Sequence, residues 1–423
     1  MAAGCLSVLA GWCPMVTIGQ PPIRHVAGNH IRIATDDDPA AATRMVTTVD
    51  AAVKLWADRL NVPQPEWSTL TIDALVMRDE QPFRSKLLLP PGLPNFRYGY
   101  ATPGQIYVRV QPGPYYTRHL VLHESAHAFA LQVFGSLGPT WFMEGLAEYL
   151  ATHAGTSADV RIGVLPADRR EFAYWGRFKT IAAARREDHL PSIDQVMRYS
   201  ATLAGDVRSY AFSWALIAML DAYPEYRELI PWASRMQFTS ATDFNRQFLR
   251  KIQPGGAVLS SRWQLWLHAL DYGIDPSRHL LDIAVTDPPI PESLSIAINA
   301  DRSWQSIGYR VPAGTRLSIT ARGRAVIATE PADWVTTPRG VTLRYVDGRP
   351  AGQLLAAVLP CNSPHGGTLP PLRVQPIGPF GQWTVKRDSW LVLKSNEATG
   401  EFADNTGGFE VTIIATSDEM RRP

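Results

Sequence analysis

The chain has 423 residues, 45% hydrophobic and 19% charged, with 41 lysines and arginines against 39 aspartates and glutamates. That length exceeds one small domain, so two or three domains are expected, in an ordinary globular composition able to bury a large core. A net charge of +2 supplies no basic field for nucleic acid or an anionic membrane surface. Three cysteines, Cys5, Cys13 and Cys361, exclude a disulfide-rich framework.

Met1 to Gly19 is apolar and rich in small residues, but it lacks a basic start and Pro14 interrupts it. It is too short to span a bilayer. Two readings stay open. Residues 1–29 are either a frayed apolar terminus or the remnant of an export signal, in which Ala2-Ala3-Gly4-Cys5 resembles a bacterial lipoprotein cleavage box with Cys5 as a lipid anchor. The second reading makes the protein extracytoplasmic, whether secreted, periplasmic or lipid-anchored. No other stretch nears the ~20 apolar residues of a transmembrane span.

His30 to Ala34 alternates as a strand, and Asp36-Asp37-Asp38-Pro39 then opens a helix by capping its first turn. That helix runs to about Leu60 with an apolar stripe of Val46, Val49, Val53, Leu55 and Trp56. Leu70 to Met77 is a second strand, Pro82 to Tyr100 is loop-rich, and Gln105 to Val110 is a third strand. Gly113-Pro114 then starts a largely apolar helix containing His123-Glu124-Ser125-Ala126-His127.

Histidines at i and i+4 lie one above the other on a helix face, where both imidazoles can hold one zinc ion with Glu124 beside it as general base. A third ligand must come from elsewhere. A turn at Gly135 to Pro139 returns a second helix antiparallel to the first, which makes Glu144 the best candidate. Glu148, on the same face, is placed to orient a ligand histidine through its free ring nitrogen. Helical spacing continues over Ala167–Arg186, Ser192–Arg198, Ser209–Ala222, Ala241–Ile252 and Ser261–Ala269. Prolines cluster from Asp275 to Pro291, which divides a unit at residues 30–275 from one at 293–423 through a linker at 276–292. Beyond it, short alternating runs read as an all-β sandwich.

His123-Glu-Ser-Ala-His127 followed by Trp141-Phe-Met-Glu-Gly-Leu-Ala-Glu-Tyr149 resembles the gluzincin metallopeptidases, the superfamily of thermolysin and aminopeptidase N, and within it the peptidase MA-like group. The resemblance implies His123, His127 and Glu144 as zinc ligands, Glu124 as catalytic base and Glu148 as their support. It also implies that the strand at Gln105–Val110 edges the cleft and pairs with extended substrate, so Gln105 and Tyr107 become candidate substrate-binding residues. The G-x-M-E-N motif of the aminopeptidases is absent there, which favours an endopeptidase. Tyr210, in Tyr210-Ala-Phe-Ser-Trp-Ala-Leu216, stands where the group carries a phenol that stabilises the oxyanion. Tyr149 and His153 are further candidates for that role, while Arg208 either contacts a substrate carbonyl or faces water.

Trp304 to Leu317 and Leu391 to Phe409 resemble the galactophilic bacterial lectins. That resemblance implies a calcium site from Glu397, the carbonyl of Glu401, Asp404 and Asn405, with calcium bridging to sugar hydroxyls. The expected whole is a multidomain α+β protein: a thermolysin-like gluzincin domain with mixed sheet and helical lobe, then a lectin-like β-sandwich. Its expected cofactors are zinc and calcium. Its expected partners are a peptide or protein substrate and a carbohydrate or glycoprotein, with neither nucleic acid nor a membrane span. Two alternatives accompany this reading: a catalytically silent carbohydrate-binding adhesion protein, and a zinc hydrolase of a non-peptide substrate.

Overall fold

The computed structural model describes residues 22–136, 138–200, 206–253, 255–361 and 368–416; Cys5, Cys13 and the proposed cleavage box lie outside them. In the first unit the chain runs β1 (Arg24–Ala27), β2 (Ile31–Thr35), α1 (Pro39–Arg59), α2 (Gln64–Trp67), β3 (Ile72–Met77), α3 (Gln81–Ser85), β4 (Gly99–Thr102), β5 (Gln105–Arg109), α4 (Pro114–Phe134) and α5 (Thr140–Ala151). The strands form one mixed sheet in the order β1-β2-β3-β5-β4, with β2, β3 and β5 parallel and the outer strands antiparallel to their neighbours. The acidic run acts as the cap it was read to be: Asp38 accepts from the Ala40 and Ala41 amides ahead of α1. Ile33, Ala74, Val76, Ile106 and Val108 fill one face of the sheet against α1 and α4, while Leu75, Met77 and Tyr107 fill the other with Phe83 and Leu89.

A helical lobe follows the short hairpin β6 (His153–Ala154) and β7 (Arg161–Ile162). It contains α6 (Arg177–Arg186), α7 (Ile193–Met197), α8 (Val207–Ala222), α9 (Pro224–Arg227), α10 (Leu229–Ser234), α11 (Ala241–Ile252) and α12 (Gly256–Ala269). The helix expected from Ala167 begins only at Arg177, because Tyr174 and Gly176 both take φ of 67°, a left-handed conformation that interrupts a helix. Helix α8 lies tight against α5. A Cβ on Gly145 would sit 2.6 Å from the Ser213 carbonyl oxygen, so only glycine permits this approach.

After α13 (Pro276–His279) the chain becomes β throughout: β8 (Ser293–Asn299), β9 (Gln305–Val311), β10 (Arg316–Val326), β11 (Val335–Thr336), β12 (Val341–Val346), β13 (Arg349–Ala351), β14 (Leu354–Pro360), β15 (Val374–Pro376), β16 (Phe380–Thr384), β17 (Ser389–Ser395) and β18 (Thr406–Thr416). One sheet is ordered β11-β10-β18-β8 with β16 also on β10, a second is β15-β14-β17-β9, and β12-β13 is a separate hairpin. Ile319, Phe409 and Ile413 from the first sheet meet Leu354, Leu391 and Leu393 from the second in one core.

The second sheet is covered on its other face too. Leu355, Ala357, Leu359, Trp390 and Val392 bury against Val258 and Leu265 of α12, together with Leu281 and Ile283. The stretch 276–292 is therefore packed between the units instead of tethering them. The Leu281 amide donates to the Tyr223 hydroxyl at 2.9 Å, and its carbonyl accepts from Arg262 at 3.1 Å. No helix among the described residues is long and apolar enough to cross a membrane. Leu281→Ala, at a side chain 1% exposed, should lower unfolding free energy by about 2–5 kcal/mol. A denaturant midpoint unchanged by that substitution would mean the segment does not clamp the units.

Candidate metal centre

Helix α4 is bounded as its sequence suggests, with Pro114 in its first turn and Gly135 at φ 70° closing its end. It is buried continuously from His119 to Ala130 between the sheet and α5, so the polar side chains of that stretch lie in a dry seam. Across that seam α5 presents Glu144 and Glu148. Three ligand atoms converge there. His123 Nε2 and His127 Nε2 are 3.1 Å apart, and each lies 3.3 Å from Glu144 Oε2.

Two imidazole nitrogens held this close need a shared proton or a cation between their lone pairs. Glu144 Oε2 is buried without a hydrogen-bond partner among the described residues. Tetrahedral bonds of about 2.0–2.1 Å set donor atoms about 3.3–3.4 Å apart, close to this triangle. The residues fit a small divalent cation. Burial would raise the Glu144 pKa, but His127 and His123 outweigh it and hold the carboxyl at about 2, ready as an anionic ligand.

Glu124 projects beside the triangle against β4, where a Cβ on Gly99 would fall 2.4 Å from its Oε1. Burial, with Glu144 and Glu148 adding to it against His127, raises its pKa to about 8. A dication on the neighbouring ligands acts in the opposite direction. Glu148 is 1% exposed and lies 3.4 Å from His123 Nδ1, on the side of the ring away from the triangle. Burial raises its pKa, but Arg177 and His119 together hold it well below the usual range. Tyr210 reaches the seam from α8 with its ring centroid 6.1 Å from that of His123. Burial, then the three nearby carboxylates Glu144, Glu148 and Glu124, push its pKa up, so the phenol keeps its proton.

Gln105 and Tyr107 are not at this site. Strand β5 is paired on both sides and β4 takes the edge, so β5 has no free backbone to offer a substrate. Tyr107 points to the opposite face of the sheet, where its hydroxyl donates to Gln105 Oε1 at 2.7 Å. Tyr149 faces away from the triangle and donates to Asp221 at 2.6 Å. His153 lies beside Ala151 and Arg118, and Arg208 is a half-exposed partner of Glu187 and the His189 carbonyl.

Of the oxygens expected for calcium, Glu397 Oε2 and Asn405 Oδ1 are buried without a hydrogen-bond partner among the described residues. Asp404 is turned to the Thr329 amide and hydroxyl, and Asn405 donates to the Ala300 carbonyl at 3.1 Å. The Glu397 and Glu401 carboxylates share the guanidinium of Arg344, while the Glu401 donor expected from the sequence was its carbonyl. Thr399, in the same loop, donates to the Ala269 carbonyl at 2.9 Å, so the segment is docked on the first unit.

Sequence reasoning missed three residues. His119 precedes His123 by one turn on the same face, a spacing that was readable. Gly99 lay in a stretch read as loop. Arg177, which forks onto Glu148, had no local signal at all.

No protein-family model matches the chain, and no curated protein matches it. Among solved structures, one titled "EclA N-terminal domain; PllA-like lectin" is 20% identical and covers 30% of this chain and 98% of its own, with a TM-score of 0.23. A functionally unknown conserved protein from Bacillus anthracis is 10% identical over 59% of this chain and 48% of its own, with a TM-score of 0.32. The periplasmic g-type lysozyme inhibitor PliG of Aeromonas hydrophila is 7% identical over 32% of this chain and 92% of its own, at 0.17. Likenesses this low say nothing of function.

Burial lowers the pKa of four histidines: that of His119, that of His153 to about 3, and those of His268 and His279 to about 4. The unfolded chain takes up these protons near pH 6.5 while the folded chain does not, so their contribution is present above that pH and lost as pH falls towards 4. In the folded chain these imidazoles should stay neutral at pH 5, as read from their ring-proton shifts in an NMR pH titration; titration near pH 6.5 would contradict this burial.

Proposed function

We propose that this chain is a zinc-dependent peptidase of gluzincin type that hydrolyses internal peptide bonds. The observation that carries this reading is the triangle of His123 Nε2, His127 Nε2 and Glu144 Oε2, buried and closely matched to tetrahedral donor spacing. Two imidazoles and a carboxylate are a donor set suited to zinc, with a fourth position left open. Zinc bound there supplies Lewis-acid polarisation of a carbonyl and a lowered pKa for water.

The rest of the chemistry belongs to the chain. Glu124 stands on the ligand helix between the two histidines. Its carboxylate takes a proton from water and returns it to the departing amine nitrogen. Tyr210, kept protonated, donates to the oxygen that gains negative charge as the carbonyl becomes tetrahedral. Strand β4 ends the sheet and packs on α4, so its outer backbone can pair with an extended peptide beside Glu124. This reading gives β4 the cleft-edge role first expected of β5.

Glu124→Gln should retain zinc while kcat/KM on denatured casein falls by about 10²–10⁴-fold; full activity in that variant would sink the reading. Glu144→Gln should lose stoichiometric zinc, as measured by metal analysis after gel filtration. Gly99→Ala should keep zinc and lose at least about tenfold in kcat, because its methyl group displaces the Glu124 carboxylate and general-base catalysis depends on hydrogen-bond reach. A Gly99→Ala enzyme equal to wild type would mean that the placement of Glu124 on β4 is immaterial.

A further inference from the structure

Arg177 is a buried cation at the head of α6, with 6% of its surface exposed. Its fork donates to Glu148 twice, from Nε to Oε2 at 3.0 Å and from Nη2 to Oε1 at 2.7 Å. The same oxygens face two imidazoles: Oε1 is 3.4 Å from His123 Nδ1, and Oε2 is 3.3 Å from His119 Nε2. A planar fork on a planar carboxylate leaves Glu148 a single orientation, which a point charge such as lysine would not enforce.

The guanidinium also lies over the Tyr210 ring, with its carbon 5.7 Å from the centroid. Tyr116, beside Arg177, stacks on His119 at 5.7 Å and 10°. His119, His123 and Glu148 lie close enough together to hold a metal of their own. Both Glu148 oxygens are already engaged by Arg177, however, so a second dication there would compete with a cation in place. The group is a supporting layer behind the His123 ring.

We propose that Arg177 is the positioning residue of this centre, fixing the His123 ligand through Glu148 and the Tyr210 phenol through its ring face. One side chain from outside both motif helices thereby sets the geometry of metal and oxyanion donor together. The inference rests on the zinc-peptidase reading and adds a residue to it.

The test compares full-length wild type with Arg177→Met and Arg177→Lys. Zinc affinity is measured by chelator competition, the visible spectrum is recorded with cobalt(II) in place of zinc, and kcat and KM are measured on denatured casein. Zinc affinity should fall about 10–100-fold in Arg177→Met, with a displaced cobalt band and a lower kcat at similar KM. Arg177→Lys should recover part of each. If Arg177→Met does not fold, Arg177→Lys carries the test through the cobalt band and zinc affinity. Combining Arg177→Lys with Tyr210→Phe should reduce kcat by less than the product of the single effects. Wild type that binds zinc and cleaves, beside folded variants matching it in affinity, spectrum and kcat, overturns this inference and leaves the peptidase reading standing. Wild type that takes up no zinc overturns both.

Discussion

Everything at this centre follows from the cost of removing charge from water. His119, His123, Glu124, His127 and Glu148 are all buried, and isolated ionised groups in such a place cost several kcal/mol each unless paired. The structure meets that demand in two layers, each built on a carboxylate. The inner layer, Glu144 with two imidazole nitrogens, is a group that could hold a cation. The outer layer, Glu148, is already neutralised by Arg177. The contrast explains why one carboxylate oxygen stands without a partner while the two oxygens behind it are fully engaged.

Much of this was legible in the chain. The i, i+4 histidines and the Glu144/Glu148 pair are spaced by helix geometry, so the order of residues alone put them on facing surfaces. Gly113-Pro114 and Gly135 marked the limits of α4 because each residue type favours its terminus. What could not be read is tertiary. Arg177 reaches Glu148 only because α8 closes on α5 at Gly145 and the turn at Gly176 starts α6 in register. The edge position of β4 was hidden because its four residues sit in a stretch dominated by proline and glycine.

The C-terminal unit teaches a different point about patterning. Leu354-Leu-Ala-Ala-Val-Leu359 and Trp390-Leu-Val-Leu393 are unbroken apolar runs, whereas a sandwich strand with one wet face alternates. Those runs recorded a second covered face. The loop from Glu397 to Asn405 resembled a metal-binding segment by the order of its oxygens. Its surroundings engage only part of that set: Arg344 takes the Glu401 side chain and the first unit takes Thr399, while Glu397 Oε2 and Asn405 Oδ1 stay buried without a hydrogen-bond partner among the described residues.

That doubly covered sheet makes the two units inseparable in a practical sense. A gene fusion or proteolytic cut near residue 280 would bare an apolar slab on each half, α12 on one and β14 with β17 on the other. Surfaces of that kind are captured by chaperones or aggregate. The β unit is therefore not a bead on a string: detached at that seam, it would carry an apolar face into water.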